Sequence, residues 1–131
     1  MTPRKKPSLE KPLTDVELEL MQVIWGREEC TVKEVQTALP EGRDLAYTTV
    51  ATVMKILEQK GVLSSHKGEK AHGYRPLISR EEYEALSLRH LTDHVFQGDP
   101  SSMVVRLLSE SKLTSDELRV IRNILDERLG K

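Results

Sequence analysis

The chain has 131 residues, a formal net charge of −1, 37% hydrophobic residues and 31% charged residues. That length suits one compact domain or two small ones, and so low a hydrophobic share leaves a modest core that a partner chain would help to complete. A single cysteine, Cys30, excludes an internal disulfide and a thiolate metal cluster within one chain and fits a reducing compartment. No apolar run reaches the length of a membrane span, and the basic N-terminus is not followed by the uninterrupted apolar stretch of a secretory signal. The cytoplasm is the expected location.

The balanced total conceals an asymmetry. Residues 47–76 carry five basic against two acidic side chains, a net of +3, whereas residues 79–131 carry eight against ten, a net of −2. A basic half able to face a polyanion and an acidic half turned elsewhere is the implied arrangement.

In chain order, residues 1–12 hold Arg4, Lys5, Lys6, Lys11 and three prolines and read as a mobile basic tail. Leu13-Thr-Asp-Val-Glu17 opens a helix, with Thr14 and Glu17 as a capping box and Leu13 and Leu18 as a hydrophobic staple. Its apolar run ends at Trp25-Gly26. Thr31 and Glu34 form a second capping box for a short helix closed by Pro40, with Val32, Val35 and Leu39 inward. Residues 41–45 turn into the helix around which the chain is organised. At about 100° per residue, Ala46, Val50, Val53, Met54 and Leu57 form its apolar stripe, and Thr48, Thr52, Lys55 and Gln59 gather on the opposite side. Gly61 stops it. Helix, short helix, turn and an amphipathic third helix with a hydroxyl-rich outer face is the helix-turn-helix pattern, whose last helix enters a DNA major groove. Solvent-facing threonines on an ordinary helix are the plainer alternative.

Val62–His66 and Ala71–Pro76 then read as a hairpin, a wing whose turn carries Lys67 and Lys70 toward the DNA backbone. The remainder is helical. Ser79-Arg-Glu-Glu82 caps a long helix with Leu86, His90 or Leu91, and Val95 on one face. Asp99-Pro100 starts another with Met103, Val104, Leu107 and Leu108. Thr114-Ser-Asp-Glu117 opens the last, with Leu118, Ile121, Ile124 or Leu125, and Leu129. Three such helices have too little chain to bury these faces alone. A two-fold dimer would cover them through Leu86, Leu91, Val95, Met103, Val104, Leu107, Leu108, Leu118, Ile121 and Leu125, and would present two groove-facing helices. Folding back onto the N-terminal half in a monomer is the alternative. The expected fold is therefore mainly α with a small β-hairpin wing: tail 1–12, a winged helix-turn-helix DNA-binding domain 13–78, and a three-helix dimerisation region 79–131.

Several dispersed segments together resemble the penicillinase-repressor (BlaI/MecI/CopY) family of winged-helix repressors. They are Leu13-Thr14-Glu17-Met21-Ile24-Trp25, Leu45-Ala-Tyr-Thr-Thr-Val50, Leu57-Glu-Gln-Lys-Gly-Val62, Tyr74-Arg-Pro76, Phe96-Gln-Gly-Asp99 and Leu113-Thr-Ser-Asp-Glu-Leu118. The resemblance spans about residues 13–129. It implies a cytoplasmic bacterial homodimer that binds pseudo-palindromic double-stranded promoter DNA and blocks transcription. It places Thr48, Thr49, Thr52 and Lys55 in the groove, with Thr49 alternatively on a phosphate, and Tyr47 and Ala51 beside them. In the antibiotic-responsive branch a regulatory protease cuts an Asn-Phe bond in the dimerisation region; the matching position here is Arg106-Leu107. The copper-responsive branch binds metal through paired cysteines near the C-terminus, which a chain with Cys30 alone lacks.

His90 and His94, four apart on one helix, have the spacing of a metal pair, but two ligands are too few for a tight site, and interface histidines titrating near neutral pH are the plainer reading. No cofactor is expected. No Gly-rich phosphate loop or nucleophile–histidine–acid set stands in recognisable context, so the chain does not read as an enzyme. The competing functional readings are a winged-helix module that binds protein rather than DNA, and a metal- or pH-responsive regulator acting through His90 and His94.

Overall fold

The structure, a computed structural model, describes residues 9, 11–68 and 72–131. The chain divides into two compact units, one up to His90 and one from Leu91 to Lys131.

In the first unit α1 (Asp15–Ile24), α2 (Val32–Thr37) and α3 (Tyr47–Gln59) precede a hairpin of β1 (Leu63–Lys67) and β2 (His72–Pro76). The capping boxes form as the sequence suggests. Thr14 and Thr31 each accept from the backbone N–H three residues on, and the carboxylates of Glu17 and Glu34 return the bond. These bonds satisfy amide groups that the first turn leaves open. Leu20, Met21 and Ile24 of α1, Val35 of α2, and Val50, Met54 and Leu57 of α3 are fully buried together with Val62 and Leu63. α3 ends in a Schellman motif. Gly61 takes φ +80°, the Gly61 N–H bonds the Glu58 carbonyl at 3.0 Å, and the Val62 N–H bonds the Leu57 carbonyl at 3.0 Å.

The hairpin is antiparallel, pairing Leu63 with Pro76 and Ser65 with Tyr74. Cys30 adds a third, single-residue rung by exchanging backbone bonds with Tyr74 at 3.0 and 2.8 Å. The wing is thereby fastened to the loop between α1 and α2. Cys30 is buried, and that burial pushes its thiol up to about 11, so it remains a neutral core group.

α4 (Arg80–His94) starts from a Ser79–Glu82 capping box. The sequence pattern placed a boundary between residues 78 and 79, but the compact units part inside α4. The reason is Tyr83, which is buried in the first unit's core, and Leu86, which packs against that core. Leu86 thus faces the first unit although its spacing suggested the dimer face. Leu9 also packs on this core, so the folded unit reaches back into the stretch read as tail; the rest of residues 1–8, with Glu10, lies outside the described residues. Ala46 is a further departure. It is the N-cap of α3, has left the helical stripe and is exposed.

The second unit contains α5 (Pro100–Glu110) and α6 (Ser115–Leu129). Asp99 caps α5 ahead of Pro100, and Thr114 with Glu117 forms the capping box of α6. No residue from Leu91 to Lys131 is buried. The helices have strong local stop and start signals but no core of their own.

Candidate nucleic-acid interface

α3 has one face committed to the core, and the opposite face is open. Tyr47, Thr48, Thr49, Thr52, Lys55 and Gln59 are exposed, and Ala51 is half-buried against the core. The rows of hydroxyls and the single ammonium therefore lie on the solvent side as the helical period requires. Among the described residues Lys55 has no ion-pair partner. The N-terminus of α3 differs from those of the other helices in having no side-chain cap, because Ala46 offers no oxygen. Its first-turn N–H groups stay available to an acceptor outside the helix.

Three polar ties aim this helix. The Gln36 amide donates to the Leu45 carbonyl at 3.0 Å, just before the helix starts. In the preceding turn, the Arg43 guanidinium grips Glu19 of α1 with two bonds of 2.7 and 3.1 Å; this paired, planar geometry is the strong form of the interaction. It holds the Glu19 carboxyl below its ordinary value and raises Arg43. At the far end Lys60 meets Glu17 at 2.8 Å. Glu17 is the single charged residue buried among the described residues. Burial would raise its carboxyl, but the bonds from Lys60 and Thr14 outweigh burial and hold it below the usual carboxylate value.

On the wing, Lys67 ends β1 and is exposed. Lys70 lies outside the described residues. Arg75 and His66 both turn to Glu29 of the α1–α2 loop, Arg75 at 3.4 Å. Gly73 makes room for this cluster, since a Cβ there would run into the Glu29 carboxylate. Ser65 bonds Glu58.

The basic half is thus less free than its sequence count. Lys60 and Arg75 are engaged by acids of the fold, and Lys55 and Lys67 are the described lysines left open. Pairings 43 and 46 residues apart have no signature in local spacing. The sequence reading also passed over Ile56, which is 38% exposed. The helical wheel could have found it, for it falls beside Thr52 and outside the apolar stripe.

The residues expected at a subunit contact are open in the single chain. Leu91, Val95, Val104, Leu107, Leu108, Leu118 and Leu125 are exposed, as are Ile124 and Leu129 of the same helical spacing, joined by Val105 and Val120, which the spacing did not single out. Met103 and Ile121 are half-buried. Arg106 and Leu107 lie in the body of α5, with Arg106 3.3 Å from Glu110. His90 is half-buried in the wall of a small cleft with Leu9, Tyr83 and Ser87, whereas His94 is exposed. Among the described residues no three His, Cys, Asp or Glu side chains come together in a group able to hold a metal, and no helix is long and apolar enough to cross a membrane.

A helix-turn-helix with a hydroxyl-rich third helix and a strapped hairpin after it defines a winged-helix DNA-binding module. Residues 13–127 match the family model described as Penicillinase repressor, and the chain belongs to that family. The penicillinase repressor of Bacillus licheniformis is 29% identical over 119 residues, covering 91% of this chain and 93% of that protein. The transcriptional regulator BlaI of Mycobacterium tuberculosis is 34% identical over 117 residues, covering 88% and 83%. The solved Bacillus licheniformis BlaI monomer in complex with the blaP half-operator is 32% identical, covering 60% of this chain and 92% of that one, at a TM-score of 0.48. As a member of this family the chain is a DNA-binding transcriptional repressor and not an enzyme.

Proposed function

We propose that the protein acts in the cytoplasm as a homodimer on pseudo-palindromic promoter DNA. α3 enters the major groove, where Thr48, Thr52 and Lys55 reach base edges and Thr49 reaches a base or a flanking phosphate. Tyr47 and Ala51 border the contact, and Ala51 is small enough to approach a thymine methyl. The uncapped first turn of α3 receives a backbone phosphate, and Lys67 and Lys70 of the wing bind phosphates alongside. The observation that carries this reading is the division of α3 into a buried apolar stripe and an open Thr/Lys face.

The dimer rests on the second unit. Its exposed leucines and valines recur along α5 and α6 with no buried residue between them, which is how half of a shared core looks when one chain is viewed alone. Residues 91–131 are the contact, with Leu91, Val95, Met103, Val104, Leu107, Leu108, Leu118, Ile121 and Leu125 on it. Repression ends when this region is opened, by a regulatory protease if one acts here. Arg106-Leu107 is helical in α5, so a protease reaches that bond only after α5 unwinds.

The test is selection of bound sites from a random duplex library at moderate salt. An inverted repeat with half-sites about one helical turn apart is expected. Enrichment of a lone half-site would remove the dimer; no enrichment by the folded protein would remove the groove-reading helix as well.

A further inference from the structure

α3 carries one side chain that neither the core nor the polar face accounts for. Among the described residues of the first unit, Tyr47, Ile56 and Leu88 are the large apolar side chains left exposed. Leu88 belongs to α4 and Tyr47 opens α3, whereas Ile56 lies in the body of α3. Counted at about 100° per residue, Ile56 stands about 40° from Thr52 and about 20° from Thr49, both of them exposed. The stripe of Val50, Met54 and Leu57 that holds the helix to the core is fully buried without it. Helix stability does not call for it either, since a β-branched residue in a helix interior is poorer than alanine, leucine or lysine. A lone apolar residue on an ordinary surface needs no explanation, but this one stands on the face that the fold leaves open for DNA.

The groove limits what such a side chain can meet. Base edges in the major groove present hydrogen-bond donors and acceptors and a single apolar group, the C5 methyl of thymine. The anchors of a protein interface come clustered, with tryptophan, tyrosine and arginine prominent, whereas Ile56 has the hydroxyls of Thr49 and Thr52 and the ammonium of Lys55 around it on the exposed side. A β-branched side chain in a helix keeps one strongly preferred rotamer, so Ile56 presents its methyl groups in a fixed direction and loses little freedom on contact. It follows Thr52 by one helical turn, about 6 Å along the axis, which spans about two base-pair steps of about 3.4 Å. We propose that Ile56 is a specificity-determining residue that selects thymine through its C5 methyl, within about two base pairs of the position read by Thr52. The proposal rests on the groove-reading role of α3 given above.

The experiment uses the full chain and the duplex selected from the random library, with each thymine of a half-site replaced in turn by deoxyuridine, which pairs alike and lacks the methyl. The position whose base preference changes in Thr52→Ala marks the neighbourhood. The wild type loses about fourfold in affinity at one deoxyuridine there, the worth of one buried methyl group. Ile56→Ala lowers affinity for the unmodified duplex by a similar factor and binds the thymine and deoxyuridine versions of that position within about 1.5-fold of each other, while the deoxyuridine effects at other positions keep their wild-type size. Alanine is the better helix former, so α3 is retained. Ile56→Val keeps the β-branch, removes one methylene and gives an intermediate effect; it carries the test if the alanine variant does not fold. An Ile56→Ala variant that weakens the thymine and deoxyuridine duplexes alike overturns the proposal and leaves the groove-reading helix standing, as does a wild type indifferent to every deoxyuridine replacement. No duplex enriched by the folded wild type overturns both.

Discussion

Lys60 offers the sharpest separation of fold from function. By sequence it belongs to the basic stretch that faces DNA, yet in the structure it neutralises the buried Glu17. Lys60→Met removes the cation and leaves the carboxylate in place. The Glu17 side chain is 5% exposed and that of Lys60 39%, so the pair lies between two regimes. Exposed pairs contribute about 0–1 kcal/mol, whereas breaking a fully buried one costs about 3–5 kcal/mol. Glu17 also retains the Thr14 backbone N–H at 2.8 Å, which limits the loss. A destabilisation of about 2 kcal/mol follows, equivalent to about 1 M in the urea midpoint at a slope of about 2 kcal/mol/M. The DNA affinity of the folded fraction, and its salt dependence, should stay at the wild-type value. The pH dependence has a definite sign. The folded Glu17 pKa lies below 4.5, so its contribution is fully present above the ordinary carboxylate value and is lost as pH falls through the depressed one. Glu17→Gln should flatten that acid limb. An unchanged urea midpoint in Lys60→Met, together with a reduced salt slope for DNA, would refute the assignment and return Lys60 to the DNA face.

Lys55→Ala should do the reverse, leaving the urea midpoint in place while costing about 1–3 kcal/mol in operator binding and altering the preferred base opposite it; equal weakening on all sequences in a binding titration would make Lys55 a phosphate contact instead. Gly73→Ala should displace the Glu29 carboxylate and release His66 and Arg75, raising affinity for any duplex at low salt and steepening the salt slope by about one. Glu29→Gln should reproduce that effect, and an unchanged slope in both variants would show that the cluster does not face the backbone. The Asp99 carboxyl is held down to about 2 chiefly by the Ser102 hydroxyl and then by that of Ser101, so the α5 cap should persist well below pH 3.8 and fail as pH falls toward 2. Asp99→Ala should remove this acid step from a helicity titration of the second unit.

Local order was readable because local rules produced it. Thr14, Thr31, Ser79, Asp99 and Thr114 all start helices, and each start follows from a short oxygen-bearing side chain standing before an apolar period. The outer face of α3 was equally legible, being a consequence of the 3.6-residue repeat. What escaped depends on the chain meeting itself at a distance. Nothing in the spacing of Glu29 announces that it takes up Arg75 and His66, or that Tyr83 belongs to the first unit's core. Ala46 marks a different limit. Its apolar side chain extends the stripe by one turn on a wheel, but helices end where the backbone leaves the helical region, and Ala46 sits at ψ 149°.

The pairing of cations within the fold bears on how such a repressor can work at all. With Lys60 and Arg75 assigned to internal acids, the proposed interface acts on DNA through Lys55, Lys67 and Lys70, about three cations per protomer and a salt slope of at most about −2.7 for one half-site. Binding of that kind is weak against the ~10⁶ or more competing sites of a genome. On the dimer reading the slope doubles to about −5.4, and the two half-site free energies combine through one linkage. Occupancy then depends on the dimer far more than on any residue of α3. On the same reading the second unit, which has no buried residue in the single chain, takes its order from the partner and loses it on dilution. An event that disturbs only residues 91–131 would therefore clear the operator while every DNA-contacting side chain remained intact.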